Sequence, residues 1–207
     1  LRRSVQDTGK RGISVGYPLK VNLTFDAENV CINQLWRGKF IDPGGVWRGQ
    51  GSGNARIIPR ERIKLGRGAP LRRLSDEDSP WPMDTSRSLG IRFKGYRLDE
   101  KRRPTFSYVY GGTVVSDKPM DLLDKKTNRV YLARTIKLEG GDLGGLYFRA
   151  AVHQEMTGEK DGSVTVGGKV NIRASGSLPG GKKKALKFLV RASGKAREAV
   201  VVIGNEG

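Results

Sequence analysis

Two similar units, Trp36-Arg37-Gly38 and Trp47-Arg48-Gly49, flank the turn-forming run Asp42-Pro43-Gly44-Gly45 and hold two of the chain's three tryptophans. A tryptophan face beside an arginine fork suits planar or anionic groups. The ring stacks, and the guanidinium makes paired hydrogen bonds. The same rings serve equally well as core anchors, because large aromatics dominate buried area. One indole inside and one outside is the third arrangement. Downstream, Arg56, Arg60, Arg62, Lys64, Arg67, Arg72 and Arg73 crowd a single segment opposed only by Glu61, and Trp81 closes it. The residues expected to bind a ligand are therefore Trp36, Arg37, Trp47, Arg48, Arg56, Arg60, Arg62, Arg72, Arg73 and Trp81.

Other chemistry is poorly supplied. His153 is the only histidine and Cys31 the only cysteine. An internal disulfide and multi-cysteine or histidine-rich metal sites are ruled out, and a catalytic triad would have to use His153. Ser75-Asp76-Glu77-Asp78-Ser79 lacks the alternating ligand spacing of a calcium loop. Gly49-Gln50-Gly51-Ser52-Gly53 is glycine-rich, but no amphipathic helix follows it, so it does not read as a phosphate loop. A glycosidase-type carboxylate pair would draw on Asp26, Glu28, Asp42 and Asp99, of which the first three read better as turn residues. No catalytic residue, metal or cofactor is expected, and the balance leans away from an enzyme.

The elements that must position these residues are strands. Val21, Leu23 and Phe25 alternate with Asn22, Thr24 and Asp26, the period of a half-buried strand. Asp26-Ala27-Glu28-Asn29 turns the chain, and Val30 to Trp36 returns with Cys31 and Leu35 on one face, Val30 and Ile32 on the other. Leu89 to Asp99 alternates likewise, with Gly95 suggesting a bulge. Thr105 to Tyr110, Arg129 to Leu138, Leu146 to His153 and four later segments continue the series, while Met120 to Lys126 is compatible with a helical turn. The expected fold is all-β: an antiparallel sandwich of about twelve strands with Gly-rich turns. Residues 1–12 read as a flexible basic arm, residues 13–207 as one domain, and residues 49–82 as a long irregular basic loop. No apolar run approaches a membrane span.

Several stretches also carry a resemblance. Gly16-Tyr17-Pro18, Phe25-Asp26-Ala27, Trp36-Arg37-Gly38-Lys39-Phe40-Ile41-Asp42, Trp47-Arg48-Gly49, and later Gly90 to Asp99 with Pro104-Thr105-Phe106, resemble an uncharacterised β-rich domain of large secreted bacterial proteins. Those proteins also carry c-type cytochrome and sugar-dehydrogenase-like parts. The resemblance covers about residues 12–150 and implies a secreted or periplasmic setting. It brings no haem motif, because the chain has no Cys-x-x-Cys-His.

Charge supplies the partner class. Lys plus Arg number 39 against 21 Asp plus Glu, a formal net charge of +18. Such an excess attracts polyanions. With the secreted setting that the resemblance implies, the expectation is a non-catalytic module recognising an acidic or sulfated polysaccharide. The alternatives are a scaffold docking an acidic cytochrome or dehydrogenase partner domain, and a basic nucleic-acid-binding protein.

Overall fold

The computed structural model describes residues 2–48, 53–59, 62–76, 79–82, 84–142, 145–152, 155–160, 163–166, 170–175, 179–180, 185–189, 192–193 and 196–205. In chain order the first elements are β1 (Arg2–Val5), β2 (Gly9–Gly16), β3 (Val21–Asp26), β4 (Cys31–Arg37), β5 (Ile41–Asp42), the single-turn helix α1 (Gly44–Arg48), β6 (Arg56–Ile57), β7 (Arg62–Lys64) and β8 (Leu71–Arg73). Next come β9 (Arg92–Leu98), β10 (Pro104–Tyr110), β11 (Thr113–Asp124), β12 (Arg129–Glu139) and β13 (Leu146–Val152). The remainder are β14 (Met156–Gly158), β15 (Val164–Val166), β16 (Val170–Ser175), β17 (Pro179–Gly180), β18 (Ala185–Leu189), β19 (Ala192–Ser193) and β20 (Ala196–Asn205). Many of these are two or three residues long, too short to show a period.

The strands form a five-stranded sheet in the order β1-β2-β3-β4-β7, a sheet running β14-β15-β16-β20-β12-β11-β10-β9, a four-stranded sheet β17-β18-β13-β8, and the small pair β5-β6. All pairings between these strands are antiparallel. One hydrophobic core draws on the three larger sheets. At its centre Phe25 of β3 stacks on Phe106 of β10, with ring centroids 4.0 Å apart. Tyr17 donates its hydroxyl hydrogen to the Pro119 carbonyl of β11 at 2.7 Å, tying the five-stranded sheet to the long one. The segment after β7 joins the two smaller faces: Leu65 N donates to Asn33 O, and Val152 N donates to Leu65 O at 2.8 Å.

Four sequence expectations change. The expected arm at residues 1–12 is, from Arg2 onward, part of a sheet, because β1 pairs with β2 and β2 with β3. Met120 to Lys126 holds no helical turn, since β11 runs through to Asp124 against β12. Pro119 is tolerated there because the ladder from β11 to β10 ends at Asp117, leaving that stretch bonded on one side. Strand β3 is buried on both faces. Its polar side is satisfied internally: Asn22 Nδ2 donates to Gly38 O at 3.1 Å, and the Thr24 hydroxyl bonds that of Ser14 at 3.0 Å. The fourth change concerns β4. Its register passes from Thr24↔Gln34 to Phe25↔Ile32, so Asn33 is an extra, bulged residue. A one-residue bulge flips the alternation. Ile32 and Leu35 consequently share the core face, instead of lying on opposite faces.

The bulge expected at Gly95 is present. Strand β9 pairs Phe93 with Tyr108 and Tyr96 with Phe106, with a register shift between them. Gly95 has φ +119°, a region that glycine alone enters without strain.

Candidate functional site

The flip at Asn33 decides the fate of the first tryptophan. Trp36 pairs with Asn22 and lies on the side of β4 away from the main core. There it forms a second small cluster with Val5 and Ile57, packed by Phe40 and Ile41. It is 3% exposed, and its indole N–H is shared by the carbonyls of Lys39 and Phe40 at 3.1 and 3.0 Å. Trp36 is therefore an anchor and cannot stack on a ligand. Arg37 is surface-exposed, but its Nη2 donates to the Val130 carbonyl of β12, where it clamps the two large sheets together.

Trp47 behaves oppositely. Asp42-Pro43-Gly44 starts a turn, Asp42 Oδ1 accepts from Gly44 N at 2.8 Å, and α1 follows for one turn. Val46 points inward, and Trp47 beside it is left 76% exposed. Strand β5 pairs with β6, placing Arg56 opposite Asp42. Arg56 Nη2 lies 3.4 Å from Asp42 Oδ2, with the Arg56 side chain 72% exposed. Arg48 folds back over the same turn. Its Nη2 and Asp42 Oδ1 lie 3.6 and 2.9 Å from the point where a β-carbon on Gly44 would sit. Arg56 thus pairs with Asp42, Arg48 reaches over the same turn, and Trp47 is exposed on the adjoining helix. Trp47, Arg48 and Arg56 are the members of the expected set that the fold brings together.

The other arginines are spent elsewhere. Arg62 pairs with Asp7, which also holds Lys64 at 3.2 Å. Arg72 pairs with Asp84 at 3.3 Å and Arg73 with Asp142 at 2.8 Å. Trp81 is half-buried beneath the Arg149 guanidinium, 4.9 Å from its ring centre. Arg60, His153 and the basic tip at 182–184 lie outside the described residues.

Sequence reasoning missed the acids. Asp7 and Asp142 are far along the chain from the arginines they meet, Asp84 lies in the loop that follows its partner, and Asp42 read only as a turn starter. Patterning gives no signal for such pairs; register sets Asp42 against Arg56, and the fold brings the turn and loop acids to the others. The buried Arg134 was also missed. It alternates correctly as an inward position on β12, yet a charge there runs against expectation. Its Nε donates to Asp117 Oδ1 at 2.8 Å, its Nη2 donates to Asp117 Oδ2, and its guanidinium sits 4.9 Å from the centre of the Phe148 ring. Burial opposes the charge on Arg134, but the Asp117 carboxylate outweighs it and holds Arg134 more firmly protonated than usual.

Among the described residues no set of three or more histidine, cysteine or carboxylate side chains is placed to hold a metal ion. No helix among them is long and apolar enough to cross a membrane. No protein-family model, curated protein or solved structure matches this chain.

Proposed function

We propose that this protein is a non-catalytic recognition module for an acidic polymer, engaged through Trp47, Arg48 and Arg56 around the α1 turn. What supports this reading is an indole left 76% exposed on the short helix that also carries Arg48, with Arg56 held against Asp42 just before that helix. The indole face stacks on the apolar side of a sugar ring, while Arg48 and Arg56 offer forked donors to a carboxylate or sulfate. The net charge of +18 adds a long-range attraction that salt screens. An acidic glycan in a cell-envelope or secreted setting fits these features and the sequence resemblance together.

The test is retention on immobilised polygalacturonate and dextran sulfate. Arg48→Ala with Arg56→Ala is expected to elute at markedly lower salt than Arg72→Ala with Arg73→Ala, although both doubles remove the same formal charge. Trp47→Ala is expected to reduce retention on polygalacturonate. Equal elution of the two doubles would mean diffuse charge attraction, and the reading would fail.

A further inference from the structure

A cavity of about 520 Å³ opens on the polar side of the five-stranded sheet, between the β1–β2 turn, β4 and the chain after β7. Its walls include Asp7, Asn33, Gln34, Asn54, Lys64 and Arg67. Gln34 is fully buried, and the hydrogen bonds around it fix its orientation. The Thr8 hydroxyl donates to Asn33 Oδ1 at 3.1 Å, so it accepts from Gln34 Nε2 at 2.7 Å. The second amide hydrogen goes to the Gln6 carbonyl at 2.6 Å. Gln34 Oε1 is left with no partner among the described residues. A buried acceptor without a donor costs about 1–3 kcal/mol, which makes it a place where a ligand's donor gains.

The remaining groups narrow the ligand. Asp7 receives both Arg62 and Lys64 on Oδ2, leaving Oδ1 as a second acceptor. Arg67 is anchored by Asp26 at 3.2 Å and the Thr8 carbonyl at 3.0 Å, and its side chain remains half-exposed. A bare phosphate or sulfate brings no dependable donor for Gln34 Oε1. An amine would supply one but would meet Arg62, Lys64 and Arg67. A ring carrying hydroxyl donors together with one carboxylate answers both demands.

We infer that this cavity binds one sugar-acid unit, with hydroxyls on Gln34 Oε1 and Asp7 and its carboxylate toward Lys64 and Arg67. Asn54 lines the cavity, and its carbonyl lies 2.7 Å from where a β-carbon on Gly45 of α1 would sit. The cavity wall thus reaches the backbone of α1, and the inference does not depend on polymer binding at Trp47.

The experiment is calorimetric and ligand-observed NMR titration of the whole protein with free glucuronate, galacturonate, glucose and inorganic phosphate. A uronate is expected to bind saturably and about tenfold more tightly than glucose or phosphate. Lys64→Ala, on the rim, should erase the preference over glucose, and Gln34→Met should weaken uronate about tenfold. With Trp47, Arg48 and Arg56 all replaced by Ala, so that the proposed polymer surface contributes nothing, uronate should still bind saturably and stay sensitive to Lys64→Ala, which separates the two sites. Absence of saturable uronate binding, equal affinity for phosphate, or a full preference retained in Lys64→Ala overturns the inference, whatever the polymer column shows.

Discussion

The Arg134–Asp117 pair lies inside the sandwich, with side chains 1% and 0% exposed. Replacing Asp117 by leucine leaves a guanidinium sealed in the core with the Phe148 face as its main electrostatic neighbour. Breaking a buried pair from one side typically costs about 3–5 kcal/mol, because the surviving charge loses its counter-ion and keeps its desolvation penalty. For a urea m-value of about 2 kcal/mol/M, that lowers the unfolding midpoint by about 2 M. The double change Asp117→Leu with Arg134→Met removes both charges and fills a similar volume. It is expected to recover most of the loss, ending within about 1 kcal/mol of the parent or above it. Urea denaturation followed by circular dichroism measures all four corners of the cycle. The reasoning fails if Asp117→Leu alone costs under about 1 kcal/mol, or if the double equals the sum of the singles, since either result means the groups are not coupled.

Other expectations follow from single contacts. The Tyr108 hydroxyl is buried with no partner among the described residues, so Tyr108→Phe should stabilise the fold by about 1 kcal/mol in the same denaturation assay. Trp36→Ala should cost about 3–5 kcal/mol as its cluster collapses, whereas Trp47→Ala should stay within about 0.5 kcal/mol, a contrast that sequence alone does not suggest. Burial pushes the Cys31 thiol up to about 12, so it should resist a disulfide exchange reagent at pH 8 and titrate fully in urea. At Asp7 burial acts to raise the carboxyl, but Lys64 and Arg62 outweigh it and hold it below its ordinary 3.8. A depressed carboxylate stabilises the fold above its unfolded value and loses that contribution as pH falls through the folded one. Melting temperatures measured below pH 4 should therefore fall less steeply in Asp7→Asn.

The all-β class was legible in the sequence because alternation is local. Val21-Leu23-Phe25, the Arg129 to Leu138 run and the Gly95 bulge need only their neighbours to be read, and β3, β12 and β9 lie where the pattern puts them. The short strands β5 to β8 were not legible, because two or three residues carry no period. Their pairing is set by partners elsewhere in the chain.

The two Trp-Arg-Gly units show where local information ends. Their sequences match, yet one indole is 3% and the other 76% exposed. Trp36 is covered because the Asn33 bulge turns it toward Val5 and Ile57, residues that arrive from the two ends of the surrounding segment. Trp47 stands on a single helical turn, and none of the described residues covers most of its ring. Composition likewise fixed the surplus of positive charge, while only the tertiary placement of strands and loops decided which arginines meet an acid. Burial and ion pairing are relations between residues far apart in sequence, so a side chain's type states what it can do and the tertiary structure selects where it does it.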